Sequence, residues 1–223
     1  YYHLGRVAEA EDLWRQFAAL RPASRKAHHL LAQLAIARSD WTAADEHLAR
    51  ALALEPNNYD VRYWYAQNLF RLGRLAPAVE IFEKLVAEDP ARFDVKTDLA
   101  RTCSLVQRHE DALDLWAEIV EALPENLAFR TEFARALMLV GSLDQADAEA
   151  RRILEEDPAR WDVMNLRADL AEIGQVPEDA VQSLRELIAD AADPDVRAQL
   201  RVRLGARLVA LNRKDAARWP LTL

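Results

Sequence analysis

The stretch Tyr59–Arg92, which reads YDVRYWYAQNLFRLGRLAPAVEIFEKLVAEDPAR, contains the pattern that decides the fold. Its first half places apolar residues at three- and four-residue intervals, as an amphipathic helix does. Its second half repeats that spacing after the turn dipeptide Gly73-Arg74. The pattern stops at Asp89-Pro90, because the residue before a proline avoids helical dihedral angles. The stretch therefore predicts two helices that form an antiparallel hairpin.

The same hairpin recurs along the chain with a period of 34 residues. Three series of residues keep this phase: alanines of each first helix, alanines of each second helix, and prolines at the end of each unit. Their members are Ala32, Ala66, Ala100, Ala134 and Ala168; Ala10, Ala44, Ala78, Ala112, Ala146 and Ala180; and Pro22, Pro56, Pro90, Pro124 and Pro158. A tandem repeat of this length predicts stacked helical hairpins, each of which shares its core with its neighbours.

The repeated alanines are predicted to lie where the two helices of a hairpin cross. Close packing of the helix axes leaves no space there for a longer side chain. Larger apolar residues at another phased position are predicted to fill the space towards the next hairpin. This series runs through Trp14, Leu48, Phe82, Trp116, Ala150 and Leu184.

The pattern resembles the tetratricopeptide repeat family. The resemblance rests on the small residue of each first helix, the alanine that opens each second helix, the terminal prolines, and a turn glycine at Gly73 and Gly141. Ser39, Gln107 and Gln175 stand where the other turn glycines would be. The resemblance implies an all-α fold, a right-handed α-solenoid of antiparallel helical hairpins that forms a TPR-like superhelix.

The prolines indicate one continuous solenoid domain. We expect a partial repeat over 1–24, five full repeats over 25–196, and a partial repeat with a tail over 197–223. The period slips once, since a proline expected at position 192 is found at Pro194, and this predicts a connection that is two residues longer. The tail after Asn212, RKDAARWPLTL, is not expected to form a normal second helix.

Both ends of the chain are predicted to lie within a repeat, and the first residue is not methionine, so we interpret the chain as a fragment of a longer protein. Two interpretations of the ends are open. The fragment is cut from a longer solenoid, or its uncapped stacking faces pair with another copy or another domain. A cytoplasmic and a periplasmic location both agree with the sequence.

Composition excludes some classes of function. The chain has 29 Lys and Arg residues against 37 Asp and Glu residues, a formal net charge of −8. This acidic balance argues against a general nucleic-acid binder and against binding to anionic membranes, because both need a basic surface. No run of 18 apolar residues is present, so no transmembrane segment is predicted.

Enzymatic chemistry finds little support in the sequence. The five histidines do not have the spacing of metal ligands, and the single Cys103 is predicted to be a small buried side chain. No glycine-rich phosphate loop and no nucleophile elbow are present. We therefore predict no catalytic residues, no metal site and no cofactor, and we predict that the protein is not an enzyme.

The resemblance to the repeat family implies that first helices line a concave groove in which a peptide lies. One ladder of groove candidates consists of the residues eleven positions after each proline: Gln33, Gln67, Arg101 and Arg135, followed by Asp169. Glutamine and arginine offer several hydrogen-bond donors, so this ladder is a candidate for binding carboxylates or backbone carbonyl groups. The alternative is a solvated helix face with incidental polar residues.

An aromatic set on one first helix is the second candidate: Tyr63, Trp64 and Phe70. Exposed aromatic side chains in a groove are typical contacts for the side chains of a peptide. The alternative is that these rings pack against the neighbouring hairpin. Charged residues would then set the preference of the groove, and their mixed signs predict no uniformly basic surface; they are His29, Arg71, Asp94, Asp98 and Glu132.

Some members of the repeat family bind the C-termini of chaperones through a carboxylate clamp of two lysines, an asparagine and an arginine. The corresponding groove positions hold Tyr63, Gln67, Asp94, Asp98 and Arg101. Since the clamp is not reproduced, a chaperone C-terminus of that kind is not expected as the ligand.

We therefore predict a scaffold that binds a protein or peptide partner in its concave groove, as a bacterial assembly, secretion or envelope factor. The first alternative is an accessory repeat region of a larger enzyme, such as a glycosyl- or sulfotransferase. The second is a structural solenoid that associates with itself through its uncapped ends.

Overall fold

A computed structural model describes residues 7–21, 23–174, 177–191 and 193–210. These residues form twelve α-helices and no strand. The helices are α1 (Val7–Leu20), α2 (Arg25–Ala37), α3 (Trp41–Leu54), α4 (Tyr59–Arg71), α5 (Leu75–Glu88), α6 (Phe93–Leu105), α7 (His109–Ala122), α8 (Leu127–Leu139), α9 (Leu143–Glu156), α10 (Trp161–Gly174), α11 (Pro177–Asp190) and α12 (Pro194–Ala210).

Helix starts keep the period of the sequence. Second helices begin at Trp41, Leu75, His109, Leu143 and Pro177, which are 34 residues apart. Consecutive helices pack against each other, as α2 does against α3 and α4 against α5. The all-α solenoid of helical hairpins predicted from the sequence is therefore confirmed as the fold class.

Side chains before two of the first helices, α4 and α8, satisfy backbone N–H groups that a helix start leaves without a partner. Asn58 accepts a hydrogen bond from the N–H of Val61 at 3.1 Å, and Asn126 accepts from the N–H groups of Ala128 and Phe129. These two asparagines are two repeats apart, and Arg92 at the same position of the repeat between them makes no such bond.

The turn inside each of four hairpins contains one residue in the left-handed region. The φ angles are 58° at Ser39, 72° at Gly73, 63° at Gln107 and 84° at Gly141. Glycine adopts this region freely, whereas other residues are strained there by about 1–2 kcal/mol. Ser39 and Gln107 thus occupy the turn-glycine position that the sequence assigned to them, while Gln175 lies outside the described residues.

Replacing Gln107 with glycine is expected to stabilise the protein by about 0.5–1 kcal/mol, because relief of the left-handed strain exceeds the added entropy of the unfolded chain. The opposite change, Gly73→Ala, is expected to cost about 1 kcal/mol. No atom lies within 4 Å of the new Cβ, so that change isolates the backbone effect. Urea denaturation measures both variants. A destabilised Gln107→Gly protein, or a Gly73→Ala protein as stable as the wild type, would show that these turns carry no strain.

The repeated alanines form the innermost part of the helix contacts. Every member of the first-helix series is completely buried, and so is the second-helix series except Ala10, which is 2% exposed. This burial agrees with the prediction that these alanines lie at helix contacts. The larger phased residues Leu48, Phe82, Trp116 and Leu184 are also fully buried. Trp14, in α1, is half-buried.

Pro194 does not mark the longer connection that its position predicted. The preceding helix, α11, ends at Asp190, and Pro194 is the first residue of α12. A proline is accommodated there because the first turn of a helix has N–H groups without intrahelical partners. The spacing from Trp161 to Pro194 is 33 residues, within one residue of the period. The two-residue lengthening was therefore a wrong expectation.

The chain divides into two compact units, residues 1–115 and residues 116–223. A buried cluster on α2 and α3 belongs to the first unit, and one on α10, α11 and α12 belongs to the second. The right-handed sense of the superhelix depends on how successive repeats are arranged, and it stays a prediction. The tail after Asn212 lies outside the described residues, and no described helix is long and apolar enough to cross a membrane.

Candidate functional site

A cavity of about 320 Å³ is present in the first unit, between residues of helices α2 to α6. Pockets of roughly 300–1,000 Å³ are the usual size for binding small ligands or parts of larger ones. Five residues of α4, including Asn68, line the cavity. The buried side chain of Asn68 donates a hydrogen bond to the backbone oxygen of Trp41 at 3.0 Å. This bond joins α4 to the start of α3 beside the cavity.

Aromatic rings form the apolar wall of the cavity. Trp64 and Phe70 are half-buried on α4, Trp41 begins α3, and Phe82 is completely buried on α5. Trp64 also packs against the buried cluster of α2 and α3. The rings are therefore held by the hairpin core on one side and face the cavity on the other.

Asp98 is the only carboxylate among the residues that line the cavity, and it is held by neutral donors. The Tyr63 hydroxyl donates to its Oδ2 at 3.1 Å, and the Gln67 amide donates to the same oxygen at 2.8 Å. Gln67 also donates to the Tyr63 hydroxyl oxygen at 2.8 Å. Asp98 Oδ1 accepts no hydrogen bond from the described residues and can accept one from a ligand.

Burial raises the pKa of the Tyr63 hydroxyl well above its usual value, and the nearby charge of Asp98 raises that pKa further. The hydroxyl therefore stays protonated at neutral pH and keeps donating to the carboxylate. The Tyr63 ring contacts Trp64 and Phe82 with ring centroids 6.3 Å away in both cases. Tyr63 thus connects the polar part of the site to its aromatic wall.

Two arginines lie at the cavity with exposed side chains. Arg71 extends from the end of α4, and its guanidinium lies 5.8 Å from the ring centroid of Trp41. Arg101 lies on α6, one turn after Asp98. Neither arginine makes an ion pair with any carboxylate of the described residues.

Four residues of the sequence-predicted site meet at this cavity: Trp64, Gln67, Phe70 and Arg101. Tyr63 joins them through its hydrogen bonds. Gln33 is exposed on α2 and does not line the cavity.

Arg135 is half-buried on α8 in the second unit, and its Nε is buried without a hydrogen-bond partner in the described residues. Asp169, the next member of the ladder, accepts a hydrogen bond from Arg203 at 2.7 Å. The continuous ladder of polar residues therefore stays a prediction beyond Gln67 and Arg101.

The sequence reasoning did not assign Trp41 or Phe82 to the site. Phe82 was attributed only to packing against the next hairpin. Its ring is buried in the core and also lines the cavity. Trp41 stands where other second helices begin with Leu75, His109 or Leu143. A large aromatic residue at this phased position was the available signal. No three His, Cys, Asp or Glu side chains come together as a metal site would require, within the part of the chain that the structure describes.

A family model described as tetratricopeptide repeat matches residues 35–102, which include all residues of the cavity. No curated protein matches the chain. Solved structures share its fold. A tetratricopeptide repeat protein from Parabacteroides merdae has a TM-score of 0.73 and 18% identity, with 99% of this chain and 86% of that chain covered.

Two further solved structures are similar. YrrB, described as a TPR protein with an unusual peptide-binding site, has a TM-score of 0.66 and 18% identity, and the match covers 83% of this chain and 96% of YrrB. MamA from Desulfovibrio magneticus has a TM-score of 0.66 and 16% identity, with coverage of 74% and 93%. At these identities the likeness concerns the fold. The family match over residues 35–102 and the shared fold confirm the resemblance.

Proposed function

We propose that this chain, which carries tetratricopeptide repeats, is a non-catalytic scaffold that binds a segment of a partner protein in the cavity of its first unit. The observation that supports this proposal is the cavity itself, which combines an aromatic wall with polar groups that have unused capacity for hydrogen bonds. Sites for protein segments are built in this way, with apolar contacts for affinity and a few polar groups for orientation.

The polar groups suit the backbone of a peptide. Asp98 Oδ1 can accept a hydrogen bond from a peptide N–H, and Arg101 can donate to a carbonyl group. Tyr63 and Gln67 hold Asp98 before any ligand arrives, so little side-chain entropy is lost on binding. The peptide-binding site attributed to YrrB supports this class of ligand by analogy of fold.

The wider role proposed is that of a bacterial assembly, secretion or envelope factor. Solved structures of the same fold include proteins from Parabacteroides merdae and Desulfovibrio magneticus, whose likeness to this chain concerns the fold. The acidic net charge favours a protein partner over a nucleic acid.

Replacing Trp64 with alanine is expected to weaken peptide binding at least tenfold, because a central aromatic wall typically contributes about 2 kcal/mol or more to an interface. The probe is a set of peptides selected on the wild-type protein from a phage-displayed random library. Fluorescence anisotropy then measures the dissociation constant of each selected peptide for each variant.

Trp14→Ala is the matched control, since Trp14 is a half-buried tryptophan of the same unit that does not line the cavity. Phe70→Ala tests the same wall with a residue outside the buried cluster. Circular dichroism verifies that each variant is folded. Peptides that bind Trp64→Ala and Phe70→Ala as tightly as the wild type would refute the proposed site.

A further inference from the structure

We propose that the cavity selects acidic, apolar peptide segments, in which a large apolar side chain contacts the aromatic wall and an adjacent carboxylate binds Arg71 and Arg101. This inference rests on the proposed function, since it names the chemistry of the ligand for the same site. The acidic preference is inferred from the charge of the residues that line the cavity and not only from the shape of the cavity.

Most arginines of the first unit have their charge compensated by a carboxylate. Of the described arginines there, those paired with Asp or Glu are Arg15, Arg25, Arg38, Arg62, Arg74, Arg92 and Arg108. The described arginines of the unit without such a pair are Arg21, Arg50, Arg71 and Arg101. Two of these four lie at the cavity, so uncompensated positive charge coincides with the aromatic wall.

Arg101 forms no ion pair among the described residues although a carboxylate lies nearby on the same helix. Asp98 lies one turn earlier on α6, a spacing at which opposite charges commonly pair. The Tyr63 hydroxyl and the Gln67 amide both donate to Asp98, and no ion pair forms between Asp98 and Arg101 within 4.0 Å. The guanidinium of Arg101 therefore keeps its donors for a ligand.

Arg71 is placed for the same task by a different contact. Its guanidinium lies against the Trp41 ring, and this cation–π contact holds the group beside the cavity without using its charge-assisted hydrogen bonds. A carboxylate is the group that arginine binds with the best geometry. Two arginines and one aspartate leave the lining with a formal charge of +1, in a chain whose net charge is −8.

The aromatic wall of the cavity favours a ligand that has a large apolar side chain. Phe70 and Trp64 are only half-buried, so a large side chain of the ligand would remove further apolar surface from water. A basic segment would place like charges beside Arg71 and Arg101. A nucleic acid would need a wider basic surface than two arginines provide.

The test uses the peptides that the phage selection yields on the wild-type protein. We expect the enriched sequences to carry Asp or Glu next to Phe, Leu, Ile or Trp. Each enriched peptide is then synthesised in two forms, with its acidic residue intact or changed to the corresponding amide. The amide form is expected to bind about threefold to tenfold more weakly at low salt, and this difference should shrink at high salt.

Arg71→Gln and Arg101→Gln are each expected to weaken the acidic peptide by about threefold to tenfold and to leave the amide peptide nearly unchanged. Arg50→Gln is the matched control, because Arg50 is an exposed arginine of the same unit, has no ion pair in the described residues and lies outside the cavity lining. It should bind both forms like the wild type.

The outcomes separate the two proposals. Enriched peptides that depend on Trp64 and Phe70 but carry no acidic residue, or that bind the two arginine variants normally, would overturn the acidic preference and leave the binding site intact. Peptides that bind Trp64→Ala and Phe70→Ala as tightly as the wild type would overturn the site itself. A basic consensus, or preferential binding of a single-stranded oligonucleotide probe, would also overturn the inference.

Discussion

Replacing Phe82 with alanine is expected to lower the free energy of unfolding by about 3–5 kcal/mol. The Phe82 side chain is completely buried on α5, and its ring contacts the ring of Tyr63. The change removes this burial and leaves a void beside a cavity that is already present. Few surrounding atoms can move in to compensate, because protein interiors are closely packed and relax only in part around a deleted side chain.

Urea denaturation followed by far-UV circular dichroism measures this loss, and hydrogen exchange locates it. Exchange should accelerate most in α4, α5 and α6, because a repeat array couples mainly to its nearest neighbours. Phe70→Ala is the control of identical chemistry, and a half-buried Phe70 should lose clearly less stability. Equal losses for the two variants would mean that Phe82 is not a central packing residue.

Replacing Arg130 with methionine is the second large effect that we expect, a loss of about 2–4 kcal/mol in the second unit. Arg130 on α8 donates to Glu149 at 2.6 Å and also pairs with Glu156. The side chains of Arg130 and Glu149 are only 11% and 12% exposed. Burial lowers the pKa of Arg130, but the hydrogen bonds that its guanidinium donates to Glu156 and Glu149 outweigh this and leave the pKa raised.

The cost arises from the carboxylate that stays behind. Without Arg130, the nearly buried Glu149 keeps only a distant contact of 3.7 Å with Arg152. Replacing both partners in Arg130→Met/Glu149→Met is therefore expected to restore stability to within about 1 kcal/mol of the wild type, because no nearly buried charge is left unpaired and Glu156 is 46% exposed. Arg151→Met breaks an exposed pair with Asp147 and should cost less than about 1 kcal/mol.

Denaturation of the three variants decides between a buried and a surface pair. If Arg130→Met costs no more than Arg151→Met, the pair does not act as a buried one. If the double variant is no more stable than Arg130→Met, the loss comes from packing and not from the isolated charge.

The fold was predictable because the same spacing of small and apolar residues recurs along the chain, and each recurrence predicts the same helix contact. Ala66 alone is weak evidence, but alanine at Ala32, Ala66 and Ala100 with a fixed spacing predicts a recurring close contact, and all three are completely buried. The exception is Pro194. A proline both stops a helix and fits its first turn, so its position in the sequence did not reveal which role applied.

The site was predictable only in part. Helical geometry and the resemblance pointed to Trp64, Gln67, Phe70 and Arg101, which line one cavity. The contribution of Phe82 was hidden because a residue can pack in the core and line a cavity with the same ring. Gln33 shares the phase of Gln67 but is exposed away from the cavity, since phase specifies the place on a helix and not the neighbouring side chains.

The sequence by itself determined the helices, their hairpin pairing and the buried alanines, because each depends on local spacing and on contacts between adjacent units. Only the tertiary structure decided which polar groups are available to a ligand. Asp98 and Arg101 look like an ion pair in the sequence. The Tyr63 hydroxyl, on a different helix, donates to Asp98, and Arg101 forms no ion pair with any carboxylate in the part of the chain that the structure describes. Hydrogen bonds between helices depend on distances of a few tenths of an ångström, which no periodicity encodes.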